Sequence, residues 1–93
     1  MDNTVSLPSV NGYEIIMNHE KLSDIPVGKV CKVRSLNASG LLRNRMLDIG
    51  IIPGTEIKAV RRNSAGDTTA FLIRGALIAL RKEESSLVDI SCN

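Results

Sequence analysis

The sequence predicts a mainly β fold, a small antiparallel barrel of about five strands with one short α-helix. Short segments that alternate apolar and polar residues recur between turn signals of Gly, Pro, Asn and Asp. One stretch, residues 41–49, instead repeats apolar residues at helical spacing. The chain has 93 residues, 43% of them apolar and only 2% aromatic, which suits a single domain with a modest aliphatic core.

The chain divides into an N-terminal extension, residues 1–20, and a compact domain, residues 21–93. Asn, Ser, Pro and Gly residues interrupt the extension, which we expect to form a partly ordered arm. This arm either covers an edge of its own domain or binds a partner, because edge strands need cover. The residues that would dock are apolar: Val10, Tyr13, Ile15, Ile16 and Met17.

The compact domain opens with a turn and a strand. Leu22 and Ile25 are apolar anchors of the turn, and residues 29–36 follow as the first strand. Alternation places Cys31 and Val33 on the inward face of this strand.

A helix follows the first strand. Asn37 or Ser39 is expected to cap its N-terminus by accepting a hydrogen bond from a free backbone N–H. Leu42, Met46 and Ile49 lie at i, i+4 and i+7, which places them on one face toward the core.

The helix is expected to end in a tight corner. Gly50 follows the last apolar helical position, where a left-handed residue is favoured, and Ile51 would then contact Met46 in a Schellman motif. Pro53 and Gly54 suit the central positions of a type II turn, since proline restricts the first φ and glycine accepts the positive one.

The remaining strands follow the corner in sequence. Gly75 is expected at the tight turn between the third and fourth strands, and Phe71 in the core. The predicted elements are a strand at 55–62, a loop at 63–67, strands at 68–74 and 76–81, a helical turn at 82–86 and a strand at 88–92.

Composition excludes several functions. A net charge of +2 is too balanced for a nucleic-acid-binding protein, and no apolar run is long enough for insertion into a membrane. We expect a cytoplasmic location, since no signal peptide is visible, and reduced thiols at Cys31 and Cys92. Because His19 is the only histidine and no nucleophile has a visible base, the protein is not expected to be an enzyme and needs no cofactor.

Metal binding has weak candidates in this sequence. Transition-metal ions accept imidazole, carboxylate and thiolate ligands, which makes His19 and Cys31 the first candidates. Cys92, Glu20 and the Glu83–Glu84 pair have suitable chemistry but no local ligand spacing.

A surface for protein contact is the more direct expectation. Leu47 lies at about 140° from Leu42 on a helical wheel, away from the core face, with Arg43 one turn before it. Arg43, Leu47 and Asp48 are therefore candidate partner-binding residues, unless Leu47 packs against the arm or the 22–28 turn. Arg45 is expected to anchor to Asp48 or to a carbonyl.

The compact region resembles the FeoA family of small proteins of bacterial ferrous iron uptake. The resemblance runs from Leu22 to Cys92 and is most specific at Arg45-Met-Leu-Asp-Ile-Gly-Ile-Ile-Pro-Gly54, where Met46 and Ile49 replace the usual leucines. Residues 22–28, 75–81 and 88–90 also match. The same pattern is similar to the C-terminal domain of diphtheria-toxin-repressor-type regulators.

The resemblance implies an SH3-like barrel and a non-enzymatic, regulatory role through contact with the cytoplasmic part of the FeoB transporter. Two alternatives stay open: a transition-metal-binding sensor module, and a stand-alone domain that acts with a metal-dependent repressor. Neither the oligomeric state nor a resident iron ion follows from these residues.

Overall fold

A computed structural model describes residues 20–92 of the chain. Its six strands are β1 (Glu20–Lys21), β2 (Val30–Leu36), β3 (Glu56–Arg62), β4 (Thr68–Ile73), β5 (Ala76–Arg81) and β6 (Val88–Ser91). A 3-10 turn spans Leu22–Asp24, helix α1 spans Gly40–Asp48, and helix α2 spans Lys82–Ser85. The predicted mainly β fold with one short helix is confirmed, the helical turn expected at 82–86 is α2, and β1 is an addition.

All six strands form one antiparallel sheet in the order β1-β6-β2-β3-β4-β5. The last strand of the domain, β6, therefore inserts between β1 and β2, while β2 to β5 are joined in sequence order. This arrangement brings the two ends of residues 20–92 together at one side of the sheet.

The core is aliphatic around one aromatic ring, as predicted. Buried side chains alternate with more exposed ones along β2, β3, β4 and β6, and Phe71 is fully buried. The inward positions expected for Cys31 and Val33, and the apolar anchors Leu22 and Ile25, are all buried.

The expected helix cap is wrong. Ser39 occupies the N-cap position but makes no capping hydrogen bond. Gly40 follows with a φ of 63°, outside the right-handed helical range, so the first turn is not aligned with the Ser39 hydroxyl. The Asn37 side chain instead donates to Asp89 Oδ2 at 3.0 Å.

The expectation of reduced thiols is also wrong for this structure, in which Cys31 and Cys92 form a disulfide. Lys32 pairs with Ser91 across β2 and β6, so the next position along each strand sets the two cysteines opposite each other, with their Cα atoms 4.5 Å apart. The two residues are 61 positions apart in sequence, and only the strand order reveals that they are neighbours.

The predicted arm lies outside the described residues except for Glu20, which belongs to β1. Within residues 20–92, no helix is long and apolar enough to cross a membrane.

Candidate functional site

The helix–turn corner has the predicted hydrogen bonds. The Ile51 N–H donates to the Met46 carbonyl at 3.0 Å, and the Gly50 N–H donates to the Leu47 carbonyl at 3.0 Å. These two bonds define a Schellman motif, with Gly50 at a φ of 102°. Met46 and Ile51 are both fully buried, as the motif requires of its apolar contact.

The turn after the helix fastens the corner to the sheet. The Thr55 N–H donates to the Ile52 carbonyl at 3.0 Å, and Gly54 has a φ of 92°, as in a type II turn. Gly54 and Thr55 each form a backbone hydrogen bond with Val33 of β2, at 2.8 and 2.9 Å. The end of α1 is thus held rigidly against the first long strand.

The Arg74 side chain also contacts the helix–turn corner, from the turn between β4 and β5. Arg74 and Gly75 form the turn between β4 and β5, both with positive φ, which confirms the expected turn at Gly75. The Arg74 side chain lies across the backbone of Gly50, at the C-terminal end of α1, where a cation is favoured. A methyl group on Gly50 would overlap this side chain.

Helix α1 turns its predicted apolar face to the core. Met46 is fully buried, and Leu42 and Ile49 are partly buried against the core. The opposite side of the helix is exposed, and its first turn carries Leu41 with 87% of its surface accessible. This position follows from the same helical wheel, since Leu41 falls outside the set at 42, 46 and 49.

The three predicted partner-binding residues lie on this exposed part of α1. Leu47 is half-buried and Arg43 and Asp48 are exposed. The Arg43 guanidinium donates to the Leu36 carbonyl at 3.0 Å, which ties it to the end of β2. Together with Leu41 they form what we call the helix surface: Leu41, Arg43, Leu47 and Asp48.

Arg45 has a partner that differs from the expected one. Its guanidinium donates to Glu84 Oε2 at 2.6 Å, which joins α1 to α2. Glu84 Oε1 also accepts the Arg81 N–H at 2.9 Å, so this carboxylate is held at the start of α2. The expected anchor at Asp48 is wrong because the sheet brings α2 beside α1, a proximity without a local sequence signal.

The candidate metal ligands among the described residues do not form a metal site. Cys31 is bonded to Cys92, His19 lies outside the described residues, and Glu84 is engaged by Arg45. In the part of the chain from Glu20 to Cys92, no group of three or more His, Cys, Asp or Glu residues could hold a metal ion.

One carboxylate that sequence reasoning missed organises the junction of β1, β2 and β6. Asp89 accepts hydrogen bonds from Lys21 at 2.8 Å, Ser35 at 3.0 Å and Asn37 at 3.0 Å. The hydrogen bond from the Lys21 ammonium has the largest effect and lowers the pKa of the Asp89 carboxyl. Burial opposes it, and the hydrogen bonds from Asn37 and Ser35 lower the pKa further.

Comparison with known proteins identifies relatives of this fold. The family model described as FeoA domain matches residues 20–92. No curated protein sequence matches significantly. Iron(II) transport protein A from Clostridium thermocellum is 32% identical with a TM-score of 0.76, over 78% of this chain and 45% of that one.

Two further structures share the fold at lower identity. FeoA of Stenotrophomonas maltophilia, an SH3-domain protein solved in complex with zinc, is 22% identical with a TM-score of 0.70, over 77% of this chain and 89% of that one. A manganese-dependent transcriptional repressor is 14% identical with a TM-score of 0.72, over 81% of this chain and 42% of that one. The SH3-like fold and the predicted likeness to the repressor domain are confirmed.

Proposed function

The chain belongs to the FeoA family, and on that premise we propose that it is a cytoplasmic, non-enzymatic accessory protein of ferrous iron uptake. In this proposal it contacts the cytoplasmic part of a FeoB-type transporter through the helix surface. In this proposal iron is the cargo of the transporter and not a ligand of this protein. The association of the family with ferrous iron transport supports the pathway, and the geometry of α1 supports the surface.

The observation that carries the proposal is the exposure of Leu41 on a rigid helix. At 87% accessible it is the most exposed of the large apolar side chains among residues 20–92. Arg43, Leu47 and Asp48 lie on the same helix and add one further apolar group and one charge of each sign. An apolar anchor with a charged rim is the usual composition of a protein-binding surface.

The rigidity of the corner adds to this argument. The Schellman bonds, the type II turn and the Arg74 side chain all hold the C-terminal end of α1, and the Arg45–Glu84 ion pair holds its middle. A surface that is ordered before binding loses less conformational entropy when a partner docks.

The test measures binding to the purified cytoplasmic domain of the FeoB-type transporter from the same genome, by calorimetry with and without guanine nucleotide. We expect Leu41→Asp and Leu47→Asp to weaken binding at least tenfold. Leu77→Asp is the matched control, because Leu77 is 56% exposed on β5 and outside the helix surface. Its affinity should stay within twofold of the wild type.

Two results would contradict the proposal. Absence of binding by the wild-type protein would remove the transporter contact, and equal effects of the Leu41 and Leu77 variants would remove the helix surface. Leu41→Asp is the decisive variant, since the side chain is exposed and its replacement leaves the core unchanged. Far-UV circular dichroism checks that the variant folds.

The two alternatives stay predictions with separate tests. A metal-binding module is favoured only by the zinc complex of a relative, and it requires stoichiometric ferrous iron binding under anaerobic conditions that His19→Ala or Cys31→Ser abolishes. A stand-alone domain acting with a metal-dependent repressor requires capture of that repressor instead of the transporter.

A further inference from the structure

A row of exposed side chains crosses the outer face of the sheet, on a different surface from α1. Val30 of β2 pairs with Lys58 of β3, Lys58 with Leu72 of β4, and Leu72 with Leu77 of β5. The apolar members are 48%, 41% and 56% exposed, in that order. We call Val30, Lys58, Leu72 and Leu77 the outer-face row.

A groove lies over this row. Its volume is about 490 Å³, and Val30, Lys58 and Leu72 line it together with Glu56 and Arg74. The row carries three exposed aliphatic side chains, Leu72 beside Leu77 on adjacent strands and Val30 beyond Lys58. A soluble domain generally covers exposed apolar groups of this kind or uses them for binding.

The direction of the chain points to the first 19 residues as the occupant. β1 runs antiparallel to β6, with Glu20 opposite Ile90 and Lys21 opposite Asp89, so the chain before Glu20 is directed past Ser91 and Cys92. β2 runs antiparallel to β6 on its other side, with Lys32 opposite Ser91. Val30, two residues before Lys32 on β2, therefore lies at the same end of the sheet as Ser91 and Cys92.

The length of this segment fits the distance. On a flattened sheet with strands about 4.8 Å apart and about 3.3 Å per residue, Val30 is roughly 14 Å and Leu77 roughly 26 Å from Glu20. Residues 10–17 precede Glu20 by three to ten positions, which gives an extended reach of about 10 to 33 Å.

Composition also favours this occupant. The segment contains the apolar residues Val10, Tyr13, Ile15, Ile16 and Met17 with Glu14 among them. Residues 1–19 carry two acidic and no basic residues, a formal charge of −2 with His neutral. Residues 20–92 carry all twelve basic and the other eight acidic residues, a formal charge of +4.

Lys58 is the charge that a carboxylate on this segment would meet. The ion pairs within residues 20–92 are Lys21–Asp89 and Arg45–Glu84, so Lys58 has no ion pair with a described residue. It lies between Val30 and Leu72, where a carboxylate flanked by apolar side chains is complementary in both charge and polarity.

We propose that residues 10–17 cover the outer-face row of their own molecule, with the Glu14 carboxylate beside the Lys58 ammonium. In this proposal the segment packs on the outer-face row of its own molecule, and the helix surface stays accessible. This inference does not depend on the transporter contact.

Tyr13 provides a selective probe, because it is the only tyrosine in a chain without tryptophan. The experiment measures acrylamide quenching of Tyr13 fluorescence, with lifetimes, in the full chain and in a free peptide of residues 1–19. We expect at least a threefold lower quenching rate constant in the full chain. Lys58→Glu and Leu77→Asp should each raise it at least twofold.

Exchanging the two charges distinguishes loss of the Glu14–Lys58 contact from unfolding of the whole domain. The double variant Lys58→Glu/Glu14→Lys should restore the low quenching rate constant, since the opposite charges are again paired. Leu41→Asp and Lys82→Glu are the matched controls, because both residues are exposed and lie outside the outer-face row. Far-UV circular dichroism verifies that each variant folds.

Three outcomes would overturn the inference. Tyr13 could be as accessible in the wild type as in the peptide, or the controls could raise quenching as much as Leu77→Asp. Quenching that increases on dilution, together with a dimer mass by light scattering, would make a second copy the occupant. The calorimetric test of the helix surface measures binding to the transporter domain and not Tyr13 quenching. Failure of one proposal is therefore distinguishable from failure of the other.

Discussion

Gly50 is the residue at which backbone geometry and a tertiary contact can be measured together. Its φ of 102° lies in the region that a residue with a Cβ occupies at a cost of about 1–2 kcal/mol. In Gly50→Ala the new methyl group would also overlap the Arg74 side chain. Displacing that side chain adds about 1–2 kcal/mol, so we expect a total loss of about 2–4 kcal/mol in the free energy of unfolding.

Urea unfolding followed by far-UV circular dichroism measures this loss, because the chain has no tryptophan. Gly28→Ala is the matched control: its φ is 95°, but nothing lies within 4 Å of the added Cβ, so it reports the backbone contribution alone. We expect about 1–2 kcal/mol for this control.

The overlap is isolated by a double-mutant cycle with Arg74→Ala. In the Arg74→Ala background, Gly50→Ala should cost about as much as Gly28→Ala, which gives a coupling energy of about 1–2 kcal/mol. A coupling energy near zero would refute the contact between Arg74 and Gly50. A loss below about 0.5 kcal/mol for Gly50→Ala itself would refute the left-handed corner.

Two further predictions concern the ends of the domain. Because the pKa of Asp89 is lowered in the folded state, its stabilising effect is complete above the ordinary carboxyl pKa of about 3.9 and is lost as the pH falls through the lower, folded value. Asp89→Asn should therefore cost about 1–2 kcal/mol at pH 7 and weaken the loss of stability below about pH 4; identical acid unfolding curves for both proteins would contradict this. Reduction of the Cys31–Cys92 disulfide, which closes a loop across 61 positions, should lower the free energy of unfolding by up to roughly 4 kcal/mol in the chain-entropy model. Thermal unfolding with and without dithiothreitol measures it, and Cys92→Ser, which lacks the bond, should show no response to the reductant.

The corner at residues 46–54 could be predicted in detail from the sequence. Its determinants are local: apolar spacing along one helix, a glycine at C′, and a Pro-Gly pair whose dihedral angles suit one turn type. Each of these acts within a few residues of chain, so no knowledge of the sheet was needed to place Gly50, Ile51 or Gly54.

Local periodicity also predicted which residues of α1 are turned away from the core, but the sequence analysis did not name all of them. Arg43 and Asp48 are exposed on α1 as the helical wheel indicated, whereas Leu47 is half-buried. Leu41 was overlooked although the same wheel excludes it from the core face.

The tertiary structure alone decided which distant residues meet. Cys31 faces Cys92, Arg45 pairs with Glu84, Asp89 collects three donors, and Arg74 covers Gly50. Each contact depends on the strand order and on the register between strands, because shifting a strand by one residue exchanges its inner and outer faces. The amino-acid sequence therefore determined the elements and their buried faces, through short-range sterics and apolar periodicity, whereas the sheet decided the ion pairs, the disulfide and the outer-face row.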